Sequence, residues 1–507
     1  MYSKTYKKDH KDKKDHKDHK DHKGHKKNIK LSHKLKNKSY SESIYSLNKY
    51  ITNIMARTKL TKNRKESHKI FKNQDNSFKK ESDSKNKNYI NKLIDLYYNN
   101  DNVTRNYLKN GYHKPHKFLT QKRMIVFGDI HGDLEAAIKC FIIAKCIEPI
   151  NLPTNKTIYE MDNFFNNLKW IGDSTYVVQL GDQIDRVRPQ NWDYNDITND
   201  EAFEDEGSTL EIFYLFYYLD ILAREKEGRV FSILGNHEIM NVNGDFRYVS
   251  KKEFKSFKNH LSSTYSFKSK FPYNSKTLKN NSHKLNINDE IEKYDNIKTT
   301  YKNYNPIQNI NGFRERLYAF APTGLCSNMM AMNNYTILQI GNWLFCHGSP
   351  TITTLNSYTI DLINNVVSMY LLGIDSHKDI IESHFEKITD SKNDSILWSR
   401  EFGDVGDSRN KIQESEKDNK LCNLLKKILD SYNKNNNNDE FNKVTHIALG
   451  HTPQYTEDLG INSICNRKVW RCDVGMSKAF GDSSNDKYRK PQVLEILNGT
   501  TTNILSE

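Results

Sequence analysis

The chain has 507 residues, enough by length for several domains, but only 36% are hydrophobic, and 77 Lys+Arg against 63 Asp+Glu leave a net charge of +14. That polarity excludes a chain that is packed core throughout, and no segment approaches the ~18 consecutive apolar residues a membrane span needs. The charge is uneven: residues 1–115 carry 31 Lys+Arg and 12 Asp+Glu, net +19, so the remainder sums to −5.

The chain opens with a triplet repeat, Lys14-Asp15-His16, Lys17-Asp18-His19, Lys20-Asp21-His22 and Lys23-Gly24-His25. With almost no apolar residue before Ile29, this tail cannot bury enough surface to offset chain entropy and is expected to be disordered. It also lacks the apolar core of a signal peptide. Nonspecific contact with nucleic acid or another polyanion through counterion release, or metal binding by the spaced histidines, are functional readings of it; a solvated tail with no dedicated ligand is the simpler one. Further on, Ser43 to Arg57 and Tyr89 to Tyr98 mix apolar residues with Lys and Asn, and Ile90, Leu93, Ile94 and Tyr97 have the spacing of a helix able to dock on a domain.

Five apolar runs then end in short polar blocks. Met124-Ile125-Val126-Phe127 leads into Gly128-Asp129-Ile130-His131-Gly132-Asp133, and Tyr176-Val177-Val178-Gln179-Leu180 into Gly181-Asp182-Gln183-Ile184-Asp185-Arg186. Val230-Phe231-Ser232-Ile233-Leu234 precedes Gly235-Asn236-His237-Glu238; Trp343-Leu344-Phe345 precedes Cys346-His347-Gly348; Ile447-Ala448-Leu449 precedes Gly450-His451-Thr452. One such block alone reads as a turn or a helix cap. Five in series, each with Asp, Asn or His just past a predicted strand, read as ligands converging at the carboxyl ends of neighbouring strands. Between the second and third blocks, apolar residues from Ser208 to Leu222 have the period of a crossover helix joining parallel strands.

Carboxylate, amide and imidazole donors suit Mn, Fe or Zn, whereas a thiolate site would need clustered cysteines, and none of the seven here is spaced as CxxC. Two divalent cations about 3.5 Å apart would repel by roughly 19 kcal/mol at an effective dielectric of about 20, so anionic ligands and a bridging hydroxide must offset that charge. Paired metals would make a bound water nucleophilic near neutral pH and clamp phosphoryl oxygens for in-line attack on phosphorus. The expected activity is therefore hydrolysis of phosphate monoesters with two divalent ions (Mn, Fe or Zn) as cofactors.

In their order, GDIHG, GDQIDR, GNHE, His and GHT, these blocks resemble the signature of the calcineurin-like metallophosphoesterases, and within them the phosphoprotein phosphatase group. Arg316 to Gly324 (RLYAFAPTG), Trp398-Ser399-Arg400 and Asp473-Val474-Gly475-Met476-Ser477 are similar to the Shewanella-like branch of that group. The resemblance implies an α/β fold, two facing mixed sheets flanked by helices. It also implies Asp129 and His131 as ligands of one metal, Asp182 as the bridging carboxylate, and Asn236, His347 and His451 as ligands of the other. His237 resembles the general acid, Asp185 the carboxylate that orients it, and Arg186 and Arg400 phosphate-binding arginines. Two departures stand out. Val187 replaces the glycine usual after Asp-Arg, which offers Arg188 as a second candidate for the contact expected of Arg186. Thr452-Pro453 replaces the second histidine of many phosphodiesterases, which favours the phosphoprotein phosphatase group.

The expected organisation is a basic tail over 1–115 and a phosphatase domain over 116–507, with polar inserts near 250–305 and 403–442. A phosphorylated protein or a small phosphoester is the expected substrate. A dinucleoside polyphosphate hydrolase is the alternative among enzymes, and an inactive scaffold with a polyanion-binding tail the alternative of another class. An odd number of scattered cysteines suits a cytoplasmic or otherwise intracellular reducing compartment. Heavy Asn, Lys, Ile and Tyr usage suggests an AT-rich genome such as that of a protist or a large DNA virus, whose protein would work in the host cytoplasm.

Overall fold

All five apolar runs are β-strands in a computed structural model, which describes residues 88–97, 114–188, 204–261, 311–374, 377–390, 395–404, 411–436 and 442–507. The triplet repeat and the binding read from it lie outside these residues, as do Ser43 to Arg57 and most of the expected insert at 250–305.

The strands form two six-stranded mixed sheets. In the first, β2 (Arg123–Phe127), β3 (Tyr176–Gln179), β4 (Arg229–Ile233) and β5 (Asn334–Tyr335) run parallel, and β11 (Gln492–Leu497) with β12 (Thr501–Ser506) extends the β2 edge antiparallel. The second has the order β1 (Lys117–Phe118), β6 (Ile337–Ile340), β7 (Trp343–Cys346), β8 (His446–Leu449), β10 (Val469–Arg471), β9 (Asn462–Ile464). Strands β2, β3, β4, β7 and β8 are apolar without alternation because both faces are covered, and all but their first residues are buried in every case except β7, which is buried throughout. The sheets meet through aromatic rings such as Phe118 and Phe231, whose centroids are 4.8 Å apart.

Register decides where the loops go. Phe127 pairs with Gln179, and Gln179 with Ser232, so β2, β3 and β4 end level with one another. In the other sheet Phe345 pairs with Ala448, so β7 and β8 also end together. The five blocks therefore emerge on two short edges of neighbouring parallel strands.

Helices cover the sheets. α1 (Tyr89–Tyr97) buries Tyr89, Ile90, Leu93, Ile94, Leu96 and Tyr97. α2 (Leu134–Ile143) follows the first block, with Asp133 as its cap, and α3 (Thr209–Arg224) is the crossover between β3 and β4, its Phe213, Tyr214 and Phe216 in the core. α4 (Asn236–Val242) begins inside the third block. α5 (Lys251–Leu261) occupies the start of the expected polar insert, yet buries Glu253, Phe254, Phe257 and Leu261. α6 (Phe313–Phe320) and α7 (Leu325–Asn333) follow, and α1 packs on α3 and α7. The second expected insert contains α8 (Lys411–Asn435), whose Leu421, Leu425, Ile428, Leu429 and Tyr432 are buried; Tyr432 donates to Gln339 at 2.8 Å. A period of four was hidden there by the Lys and Asn on the outer face. Cys422 of α8 is bonded to Cys465 after β9, a pairing that scattered cysteines do not foretell, while the other five cysteines are free and buried. No described helix is long and apolar enough to cross a membrane.

Candidate metal centre

Backbone bonds tie the five blocks into one network. Ile130 and His131 donate to the Asp182 carbonyl at 3.1 and 2.9 Å, and Gly132 to that of Gln183. The buried Glu238 carboxylate accepts from Asp182, Gln183 and Gly235 amides at 2.7–3.0 Å, locking the second block to the third. Gly450 donates to the His347 carbonyl, and the His451 amide to the Asp129 carboxylate at 3.1 and 3.2 Å. Gly235 and Gly450 are required by close approach: a Cβ on the first would collide with the Asp182 carboxylate, one on the second with that of Asp129. His131, Asp182, Asp185 and His451 all have φ between 39° and 75°, where a non-glycine residue costs on the order of 1–3 kcal/mol, so the surrounding bonds hold strain here.

The side chains converge. Ligand atoms of Asp182, His347 and His451 lie within 4.8 Å of one another, as do those of His131, Asp182 and His237. Asp182 belongs to both groups. His347 Nε2 is 3.3 Å from Asp182 Oδ2 and 2.9 Å from Asn236 Oδ1; His131 Nε2 is 3.9 Å from both Asp129 Oδ2 and Asp182 Oδ2. Each histidine has its other ring nitrogen on a carbonyl: His347 Nδ1 on Leu180, His131 Nδ1 on Ile184, and His451 Nε2 on Trp398, at 2.8, 3.4 and 3.1 Å. A carbonyl accepts only from N–H, so in the neutral rings of His131 and His451 these contacts select the tautomer and leave a lone pair facing inward, whereas His347 Nε2, set against two oxygens, must give up its proton before it can ligate.

Electrostatics favour the same assignment. Burial, with Arg188 and His237 next to it, holds His131 well below the usual histidine range, and burial with His347 and Arg400 does the same to His451, so both stay neutral. Burial would raise Asp182, but His347, His237 and His131 outweigh it and keep the carboxyl well below its ordinary value. For His347 burial works against protonation, and Asp182 more than offsets that, leaving it raised. Burial, and then Asp473 and Asp182, push Asp129 well above the carboxylate range. Asp473 is pushed up to about 6 and Glu238 to about 7, chiefly by burial. Buried carboxylates crowded this closely need positive charge among them.

His237 and Asp185 meet at the rim of this group, Nδ1 to Oδ2 at 2.8 Å. Asp185 is fully buried and also accepts from Asn241 Nδ2 at 2.9 and 3.0 Å and from Arg316 Nη2 at 3.1 Å. Arg316 is thus no surface residue: it is 0% exposed, bonds Asn241 Oδ1 at 2.8 Å, and lies over the rings of Phe257 and Phe320. Arg400 is exposed, close enough to His451 and Asp473 to act on their charge. Arg186 is 0% exposed and pairs with Asp133 Oδ2 at 3.3 Å, its Nη2 donating to the Glu204 carbonyl.

Sequence reading missed the positioning roles of Glu238, Asn241 and Arg316, and the charge that Asp473 adds. Glu238 and Arg316 stood inside quoted motifs, but nothing in a motif says whether its charge is buried. Asn241 carried one signal, its place one helical turn after His237. A metal pair fits the donor set of Asp129, His131, Asp182, Asn236, His347 and His451, which is three imidazoles, two carboxylates and an amide. Asp473 Oδ2 is buried with no hydrogen-bond partner among the described residues, as suits a carboxylate held for a cation.

Comparison with known proteins gives the family. The family model described as calcineurin-like phosphoesterase matches residues 122–486. The chain is similar to Shewanella-like protein phosphatase 2 of Arabidopsis thaliana, 28% identical over 393 residues that cover 77% of this chain and 79% of that one. It is similar to Shewanella-like protein phosphatase 1 of Plasmodium berghei, 27% identical over 359 residues, 70% and 67% of the two chains. Among solved structures, a cold-active protein-tyrosine phosphatase of a psychrophilic Shewanella species aligns at 18% identity and a TM-score of 0.43, over 78% of this chain and 83% of that one.

Proposed function

Since the chain belongs to the calcineurin-like phosphoesterase family, we propose that it is a metal-dependent phosphoric monoester hydrolase acting on phosphoproteins. The observation that carries this reading is the convergence of Asp129, His131, Asp182, Asn236, His347 and His451, every position able to ligate, around a carboxylate shared by two clusters. An inactive scaffold would have no need to hold four strained residues in place there. The relatives' names, protein phosphatases in a plant and a parasite, support the substrate class.

Asp129 and His131 would hold one ion, Asn236, His347 and His451 the other, and Asp182 both. Such a pair, when bound, supplies a nucleophilic water near neutral pH and charge to stabilise the phosphoryl oxygens. The remaining chemistry falls to the chain. His237, its Nδ1 on Asp185, would present Nε2 to protonate the leaving oxygen, worth roughly 10²–10⁴-fold. Arg316 and Asn241 fix the Asp185 carboxylate, so that the His237 ring it holds is aimed. Arg400, exposed and near enough to His451 and Asp473 to act on their charge, would be open to a phosphoryl group. The free buried cysteines fit an intracellular reducing compartment, in which the Cys422–Cys465 bond would be open.

The test is a panel of phosphoserine, phosphothreonine and phosphotyrosine peptides, para-nitrophenyl phosphate and a dinucleoside polyphosphate, each with Mn, Co, Fe or Zn. Metal-dependent release of phosphate from the peptides is expected. Turnover of the dinucleotide alone would replace this reading by the polyphosphate hydrolase, and no turnover with any metal would leave the scaffold.

A further inference from the structure

Val187 stands where the resemblance leads one to expect glycine, at the end of the second block. Where glycine would leave the chain free, the Val187 side chain is buried and its amide donates to the Tyr248 carbonyl at 2.9 Å. The backbone is pinned there, and the next side chain, Arg188, turns out between two rings. Its guanidinium carbon is 5.3 Å from the centroid of Tyr248 and 4.9 Å from that of Phe480. Those rings are the walls of the metal site: Tyr248 lies 4.7 Å from the His237 ring, and Phe480 5.5 Å from that of His131. All three residues are half-buried, so the slot opens to solvent.

Arg188 Nη1 donates to the Asp185 and Val187 carbonyls at 3.2 and 2.8 Å, which fixes the plane of the group. Nε and Nη2, the side-on pair able to grip two oxygens of one phosphoryl group, have no partner among the described residues. Arg186 is differently placed: it has no exposed surface, and its guanidinium is committed to Asp133 and the Glu204 carbonyl.

We propose that Arg188, held between Tyr248 and Phe480, is the arginine that receives the substrate phosphoryl group, and that Arg186 has become a structural ion pair beneath it. This rests on the phosphatase reading above. A guanidinium with its side-on pair open grips two oxygens of one phosphoryl group in its own plane, so the group it accepts is a terminal phosphoryl.

The experiment uses the full-length, manganese-loaded protein with para-nitrophenyl phosphate as substrate and inorganic phosphate as competitive inhibitor. Arg188→Ala is expected to raise KM and the phosphate inhibition constant by roughly 10- to 100-fold, the worth of a charge-assisted pair, with bound manganese unchanged. Arg188→Lys should recover part of the phosphate binding but not the side-on grip. Arg186→Lys is expected to lower the melting temperature while its phosphate inhibition constant stays within twofold. An Arg188→Ala protein whose KM and inhibition constant match those of the unaltered chain overturns the inference, whether or not Arg186→Lys folds. Absence of metal-dependent turnover in the unaltered chain is a different failure and strikes the phosphatase reading.

Discussion

His237 Nδ1 lies 2.8 Å from Asp185 Oδ2, and that carboxylate is in turn held by Arg316 and Asn241, so the ring nitrogen facing the metal ligands is Nε2, 3.8 Å from Asp182 Oδ2. The same nitrogen falls within the cluster that contains His131 and Asp182, so an acid and a ligand are both geometrically available roles. His237→Asn is expected to lower kcat by about 10²–10⁴-fold with metal content preserved, as measured by elemental analysis of the purified variant. Loss of one ion per chain would make His237 a ligand and remove its role as acid.

Among the described residues, Asp182 is the carboxylate common to both clusters. Hydrolysis of para-nitrophenyl phosphate should therefore require added Mn, Co, Fe or Zn and should vanish in Asp182→Asn, because the neutral amide removes charge that offsets the repulsion of two cations. Metal-free turnover, or an active Asp182→Asn enzyme, would falsify the site.

Metal affinity should fall as pH is lowered from about 8 to about 5. In the metal-free protein Asp129 is raised well above its usual range, Asp473 to about 6 and Glu238 to about 7, and His347 is raised as well, so each holds a proton that a cation must displace. His131 and His451 are held well below the usual histidine range, so they add less to the slope. Calorimetry of manganese binding in two buffers of different ionisation enthalpy should register proton release near pH 6.5. Asp473→Asn should reduce the number released; an unchanged number would separate Asp473 from the metal site.

Deletion of residues 1–87 should leave kcat on a small aryl phosphate within about threefold, since every proposed ligand lies between Asp129 and His451. A cut at residue 110 is another matter, because α1 would go with it. Its Tyr89 hydroxyl bonds Glu211, and Asn328 and Asn333 donate to Tyr97, its carbonyl and its hydroxyl, at 2.8 Å each. Burying a large apolar side chain is worth about 1.5–3 kcal/mol, so losing six should cost several kcal/mol and lower the melting temperature visibly in a thermal scan. Equal melting temperatures for the two truncations would mean that α1 contributes nothing to the fold. Any binding of the intact chain to nucleic acid should weaken in both truncations and decline steeply with salt.

What the amino-acid sequence determined by itself was the strands and the order of the polar blocks that end them. Apolar runs of three to five residues that end in a Gly- or Cys-led polar block specify strand and turn and place a candidate ligand within a few residues, and such local signals survive without knowledge of the fold. The crossover helix at Thr209–Arg224 was legible for the same reason, since its period lies within one segment. What only the tertiary structure decided was which charges are buried and what they face. Arg316 and Glu238 look like surface residues in a list of letters; they become the posts that hold Asp185 and the metal loops only when β3, β4, α4 and α6 are brought together. The same holds for Arg186 and Arg188, two residues apart and alike in the sequence. One guanidinium turns inward to Asp133 and the other lies against the rings of Tyr248 and Phe480, an outcome set by contacts some 50 to 300 residues distant along the chain.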